Sequence, residues 1–192
     1  MAEDPDWLAD VERCGVKRPL LKEQSMWAIW VYRYGRRVDR RADGFIKRRL
    51  TTVYWLLFRL VETLTGIGLP KAAHIGPALR IWHFGNIFVH PGVVIGARCT
   101  LRQGVTLGNR VEDGPVPVIG DDVDIGAYAQ VLGGIRLGDG CRIGAMAVVL
   151  TDVPAGATAV GIPARIVEMA GGESAPLETS AVTRRNAEEV GI

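Results

Sequence analysis

Histidine and cysteine are scarce here, with three of each in 192 residues. Cys14, Cys99 and Cys141 are too few and too scattered for a disulfide framework. Charge imbalance is lacking too. A net charge of +2 gives no global case for a nucleic-acid partner. No long apolar run exists either. The best candidate, Val53 to Leu69, is interrupted by Arg59 and Glu62, both costly at mid-bilayer, which argues against a spanning helix. The first residues, with Glu3, Asp4, Asp6 and Asp10, do not read as a secretory signal, so a cytoplasmic chain is expected. What is there suffices for a core: 48% hydrophobic and 23% charged residues point to one folded domain with a smaller appendage.

The organising stretch is Val89 to Pro154. An apolar residue recurs every six positions: Val89, Ile95, Leu101, Leu107, then Ile119, Ile125, Val131, Leu137, Ile143, Val149. Four places after each comes a second small or apolar residue: Val93, Cys99, Val105, Val111, then Val123, Ala129, Ile135, Cys141, Ala147, Val153. A period of six fits neither a helix nor an alternating strand. It fits short strands stacked coil on coil, with both rows pointing inward. Cys99 and Cys141 fall in the inward row, where a small buried hydrophobe is the favoured reading. Glycines such as Gly96, Gly120 and Gly126 follow the inward residue, near the corners, where a missing Cβ relieves the backbone. Ahead of this stretch Ile75, Ile81 and Ile87 hold the spacing, but the leading row is not yet apolar, and His83 stands in its phase.

Residues 1–19 are polar and expected to be loosely held. Trp27, Trp30, Val31, Tyr34 and Val38 follow helical spacing, and a second helix fits Gly44 to about Thr65, with Ile46, Leu50, Val53, Tyr54, Leu57, Val61 and Leu64 on one stripe. A basic segment between them (Arg33, Arg36, Arg37, Arg40, Arg41, Lys47, Arg48, Arg49) could lie on an anionic membrane surface. Packing of the stripe on the coils or on another subunit, with the arginines in solvent, is favoured over that. The expected organisation is a helical segment over 1–68, a β-helix over 69–169 and a flexible tail over 170–192. Glu112-Asp113-Gly114-Pro115-Val116-Pro117 interrupts the coils and reads as a projecting loop, a candidate active-site wall.

Chemistry-bearing residues are few. His74 and His90 fall on one face and His83 on another, so the three do not form a metal site within one chain, and none is expected. His83, in Ile81-Trp82-His83-Phe84-Gly85-Asn86, breaks the apolar row. It reads either as a structural histidine or as a general base near neutral pH, with a backbone carbonyl or Glu62 as candidates to orient it.

Three segments carry a resemblance: Ile75-Gly76 through His83, then Leu101 to Asn109, then Gly161-Ile162-Pro163-Ala164-Arg165-Ile166-Val167. They resemble the serine acetyltransferase family, and in motif more closely the related exopolysaccharide O-acetyltransferases of the colanic acid type. The resemblance implies a left-handed parallel β-helix, a homotrimer, and acetyl-CoA lying along a groove between two subunits. It puts the catalytic base on His83 and CoA contacts on Gly108, Asn109, Gly126, Ala127, Ala145 and Met146, with Pro163 and Arg165 near the nucleotide end. Where the family has an aspartate fifteen residues before the histidine, this chain has Gly68. Where the family has an aspartate immediately before it, this chain has Trp82. Where the family's loop has an Arg-His pair, this one has Pro115 and Val116. Loss of those polar contacts points to a sugar or polysaccharide hydroxyl as acceptor, with Trp82 and Gln103 beside it. L-serine is the alternative acceptor, and a non-catalytic trimeric scaffold the alternative from another class. A terminal isoleucine, Ile192, is the feature by which some members dock into O-acetylserine sulfhydrylase.

Overall fold

The computed structural model describes residues 4–83 and 85–168. Helix α1 (Pro5–Cys14) starts where Asp4 Oδ1 accepts the Asp6 and Trp7 N–H groups, and it ends at Gly15 in the left-handed conformation. The short α2 (Pro19–Lys22) leads into α3 (Ser25–Asp39) and α4 (Phe45–Thr65). The loosely held start expected from polarity is therefore corrected: Trp7, Asp10 and Cys14 are buried against α3 and the coils. The arginines do not all face solvent either. Arg33 is 2% exposed, with Nε 2.8 Å from Asp10 Oδ2, and it also donates to the Ile75 and Gly76 carbonyls at 2.8 and 2.6 Å. Burial pushes the Asp10 carboxyl up, while Arg33 and the Leu79 N–H pull it back. Arg33 is held charged by that carboxylate. The pair ties α1 and α3 to the first coil.

The coils form three parallel sheets along a prism. Sheet 1 is β1 (Ile67–Gly68), β4 (Ile87–Val89), β7 (Thr106–Gly108), β10 (Gln130–Leu132) and β13 (Val148–Val149). Sheet 2 is β2 (His74–Ile75), β5 (Val94–Ile95), β8 (Val118–Ile119) and β11 (Arg136–Leu137). Sheet 3 is β3 (Arg80–Trp82), β6 (Thr100–Arg102), β9 (Asp124–Ile125), β12 (Arg142–Ile143) and β14 (Thr158–Gly161), closed by the antiparallel β15 (Ala164–Glu168). The expected inward rows are the core, with one correction: Val111 lies in the loop after β7 and is exposed. Val93, Cys99, Leu101, Val105, Ile125, Ala129, Val131, Cys141 and Ala147 are fully buried. Burial pushes the Cys99 and Cys141 thiols up to about 11.

Strands of two or three residues hold together only by stacking, so the corners matter. A Cβ on Gly96 would stand 2.5 Å from the Gly120 carbonyl oxygen of the next coil. These glycines are required by inter-coil approach. Backbone freedom is needed elsewhere, at the positive-φ places Asn86, Gly104, Tyr128 and Met146, which share one edge.

Helix α4 lays Tyr54, Phe58, Leu57 and Val61 on α3. Only part of the expected stripe is covered: Ile46, Val53 and Leu64 are exposed, as are Trp55, Leu56 and Leu60. Helix α4's apolar surface is wider than one partner helix can cover. Among the described residues no helix is long and apolar enough to cross a membrane.

Candidate active site

Register places the key residues. Regular coils advance 18 residues, as from Phe88 to Thr106. The coil from Arg80 to Thr100 takes 20, because two more residues stand between Trp82 and Gly85. Gly104 N donates to the Gly85 carbonyl at 3.0 Å, just as Tyr128 N donates to Gln103 and Met146 N to Ala127. Gly85 and Asn86 therefore hold the corner places that Gln103–Gly104, Ala127–Tyr128 and Ala145–Met146 hold in later coils. The leading row in this coil is Ile81, paired with Leu101. His83 does not interrupt that row: it sits outside it, exposed, on a bulge with φ +63°. A counted period of six could not show an insertion of two.

One edge, between sheets 3 and 1, thus carries His83, Gln103, Gly126–Ala127 and Ala145–Met146 in successive coils, with strands about 4.8 Å apart. The turn of Pro163 and Arg165 closes it, and Arg165 donates to the Ala164 carbonyl at 3.1 Å. Gly108 and Asn109 stand at a different corner, between sheets 1 and 2. There the coil from Val94 to Val118 takes 24 residues, six more than usual, and these form the loop that holds Pro115 and Val116. A Cβ on Gly108 would meet nothing within 4 Å, so the backbone is open there. Within one chain these two groups of residues are not brought together.

Trp82 lies beside His83, half-exposed, with the Arg80 guanidinium 4.3 Å from its ring centroid. One indole face is covered and one is left for stacking. Arg80 also donates to the Cys14 carbonyl at 2.7 Å. Gln103 Oε1 is buried without a hydrogen-bond partner. Below it, Arg102 pairs with Asp124 at 3.2 Å.

A cleft of about 450 Å³ opens between α4 and the outer face of sheet 1, lined by Trp55, Phe58, Arg59 and Glu62 on one side and Gly68, Phe88, His90, Thr106 and Gly108 on the other. Strand β4 leads from the His83 corner into its floor. A Cβ on Gly68 would lie 3.0 Å from Glu62 Oε1, so the glutamate carboxylate stands over the bare glycine. Its other oxygen accepts from Arg59 at 2.8 Å. Composition and period did not reveal this cleft, nor Tyr128, whose ring packs on Gly104. Only a count that adds the six loop residues to the usual coil, as Thr100 to Asp124 does, pairs those two. His74, in β2 of sheet 2, and His90, just past β4 of sheet 1, do not share the face expected of them, and among the described residues no group of three metal-ligating side chains forms. Phe84 and the tail with Ile192 lie outside the described residues.

The stacked hexapeptides are those of hexapeptide-repeat family models. The family description "Bacterial transferase hexapeptide (six repeats)" matches residues 117–151, and "Hexapeptide repeat of succinyl-transferase" matches 91–112. The chain is 37% identical to the serine acetyltransferase of Helicobacter pylori (strain J99), over 77% of this chain and 84% of that one. It is 35% identical to that of Synechococcus elongatus, over 73% of this chain and 59% of that one. A colanic acid biosynthesis acetyltransferase of Escherichia coli K12 is 40% identical over 41% of this chain and 49% of its own length. A solved serine acetyltransferase in complex with CoA superposes with a TM-score of 0.70 at 29% identity, over 84% of this chain and 68% of that one. The chain belongs to the serine acetyltransferase family. It spans about 60% of the length of the cyanobacterial relatives it matches.

Proposed function

We propose that this chain is an acetyl-CoA-dependent O-acetyltransferase with His83 as general base. The observation that carries the reading is the single edge with an exposed histidine at its head and small residues, Ala127 and Ala145, at its lower corners. A straight groove of that kind admits an extended thioester arm, and Arg165 at its foot suits a nucleotide phosphate. In the reaction His83 takes the acceptor O–H proton as the oxygen attacks the thioester carbonyl. The C–S bond breaks, and the imidazolium returns the proton to the leaving sulfur. No covalent enzyme intermediate is involved. The Gly108–Asn109 corner serves the same CoA from a neighbouring subunit, which makes the enzyme an oligomer, a trimer by its resemblance.

L-serine is the acceptor that the relatives favour, and they back it better than a saccharide. A saccharide hydroxyl is the second reading. It is supported by Gly68, Trp82, Pro115 and Val116, where polar groups for a small zwitterion are lacking, by the three aromatic rings of the cleft, and by the colanic acid relative. CoA release from acetyl-CoA, followed with a thiol reagent across L-serine and a sugar panel, decides between them. Release with serine alone retires the saccharide reading, and release with sugars alone retires the serine reading. Without turnover, CoA binding is measured, and its absence leaves a scaffold. His83→Ala is expected to lower kcat about 10²- to 10⁴-fold with CoA affinity kept. Unchanged turnover in that variant removes the base assignment.

A further inference from the structure

Gln103 is the residue directly beneath the bulge. Arg102 pairs with Trp82 and Gln103 holds the place level with Gly85, so His83 enters the upper coil between the partners of Arg102 and Gln103. Its side-chain oxygen is one of two buried side-chain polar atoms without a partner among the described residues, the other being Arg80 Nε. A buried acceptor left unpaired is costly unless a donor arrives. Stacking does not call for it, since the equivalent corners hold Ala127 and Ala145. Of the other acceptors near this edge, Asp124 gives both oxygens to Arg102, while Glu62 gives one to Arg59 and keeps the other over Gly68, so Glu62 is the competing candidate in the test. No side-chain hydrogen bond reaches His83 among the described residues.

We propose that Gln103 is the positioning residue for His83. Its Oε1 accepts the N–H of one imidazole nitrogen and thereby leaves the other unprotonated toward the acceptor. This rests on the reading of His83 as base and holds for either acceptor. The carboxamide takes up no proton. The proton passes from acceptor oxygen to the free ring nitrogen and on to the CoA sulfur, while the Gln103 contact persists throughout.

The chain holds three histidines, so ¹⁵N-histidine spectra of the CoA-bound enzyme resolve His83 by comparison with His83→Ala. Gln103→Leu is expected to lower kcat about 10- to 100-fold, to leave the KM for acetyl-CoA within about threefold, and to turn one His83 tautomer into a mixture. Gln103→Glu is expected to keep one tautomer and to move the acidic limb of the kcat–pH profile up by about one unit, because a carboxylate stabilises the imidazolium. Should Gln103→Leu fail to bind CoA, the near-isosteric Gln103→Glu carries the test alone. A wild-type tautomer and pH limb in the Gln103 variants overturn the proposal, as does a response to Glu62→Gln in their place. Turnover by His83→Ala removes the base reading itself. A dead His83→Ala with silent Gln103 variants removes only this inference.

Discussion

Cys99 and Cys141 occupy inward corners two coils apart, with Val123 between them, and have no exposed surface. Their thiols ionise at about 11 in place of 9.0 because the anion would have to form in an apolar core. Between those values the unfolded chain has lost protons that the folded chain still holds, so stability falls as pH rises from about 9 to 11, by about 1–3 kcal/mol per thiol at most. Thermal melts across that range are expected to show the fall, and Cys99→Ala/Cys141→Ala to flatten it. Below pH 9 the same burial keeps all three cysteines silent toward a thiol reagent until denaturant is added. That is what allows released CoA to be counted without background.

At the scale of the element, corners rather than strands carry the specificity of the fold. Gly96 faces the backbone of the next coil, and the Asp121 carboxylate beside it accepts the Ala97 N–H at 2.8 Å. Gly96→Ala is expected to cost about 1–3 kcal/mol in denaturant midpoints. Gly108→Ala, with open space around it, is expected to stay within about 0.5 kcal/mol. Equal costs at the two positions would contradict inter-coil approach as the reason for the glycine. The bulge at His83 is the reverse case, since two added residues push a side chain out of the stack and into solvent.

Over the whole molecule, the two halves of the candidate site lie on different edges of one prism. A groove shared by two protomers predicts complementation. His83→Ala and Gly108→Trp, each inactive alone, are expected to regain activity when mixed and reassembled, because some interfaces then pair an intact His83 with an intact Gly108. Persistent inactivity of reassembled mixtures would place the whole site within one chain. Helix α4 adds to the expectation of assembly, with Leu56, Leu60 and Leu64 exposed together.

The sequence by itself determined the solenoid and its inward rows, because burial by stacking leaves one residue type at one phase over ten repeats. It also located both main helices and the candidate histidine. Only the tertiary structure decided how residues meet across coils. Arg33 reads as one more surface arginine until Asp10, 23 positions away, is folded against it. His83 reads as an inward residue until pairing of Ile81 with Leu101 shows the bulge. Glu62 is in sequence only a candidate to orient His83, and packing alone shows its carboxylate over Gly68. Periodicity records which residues face the core, while register and packing record which neighbours they find there.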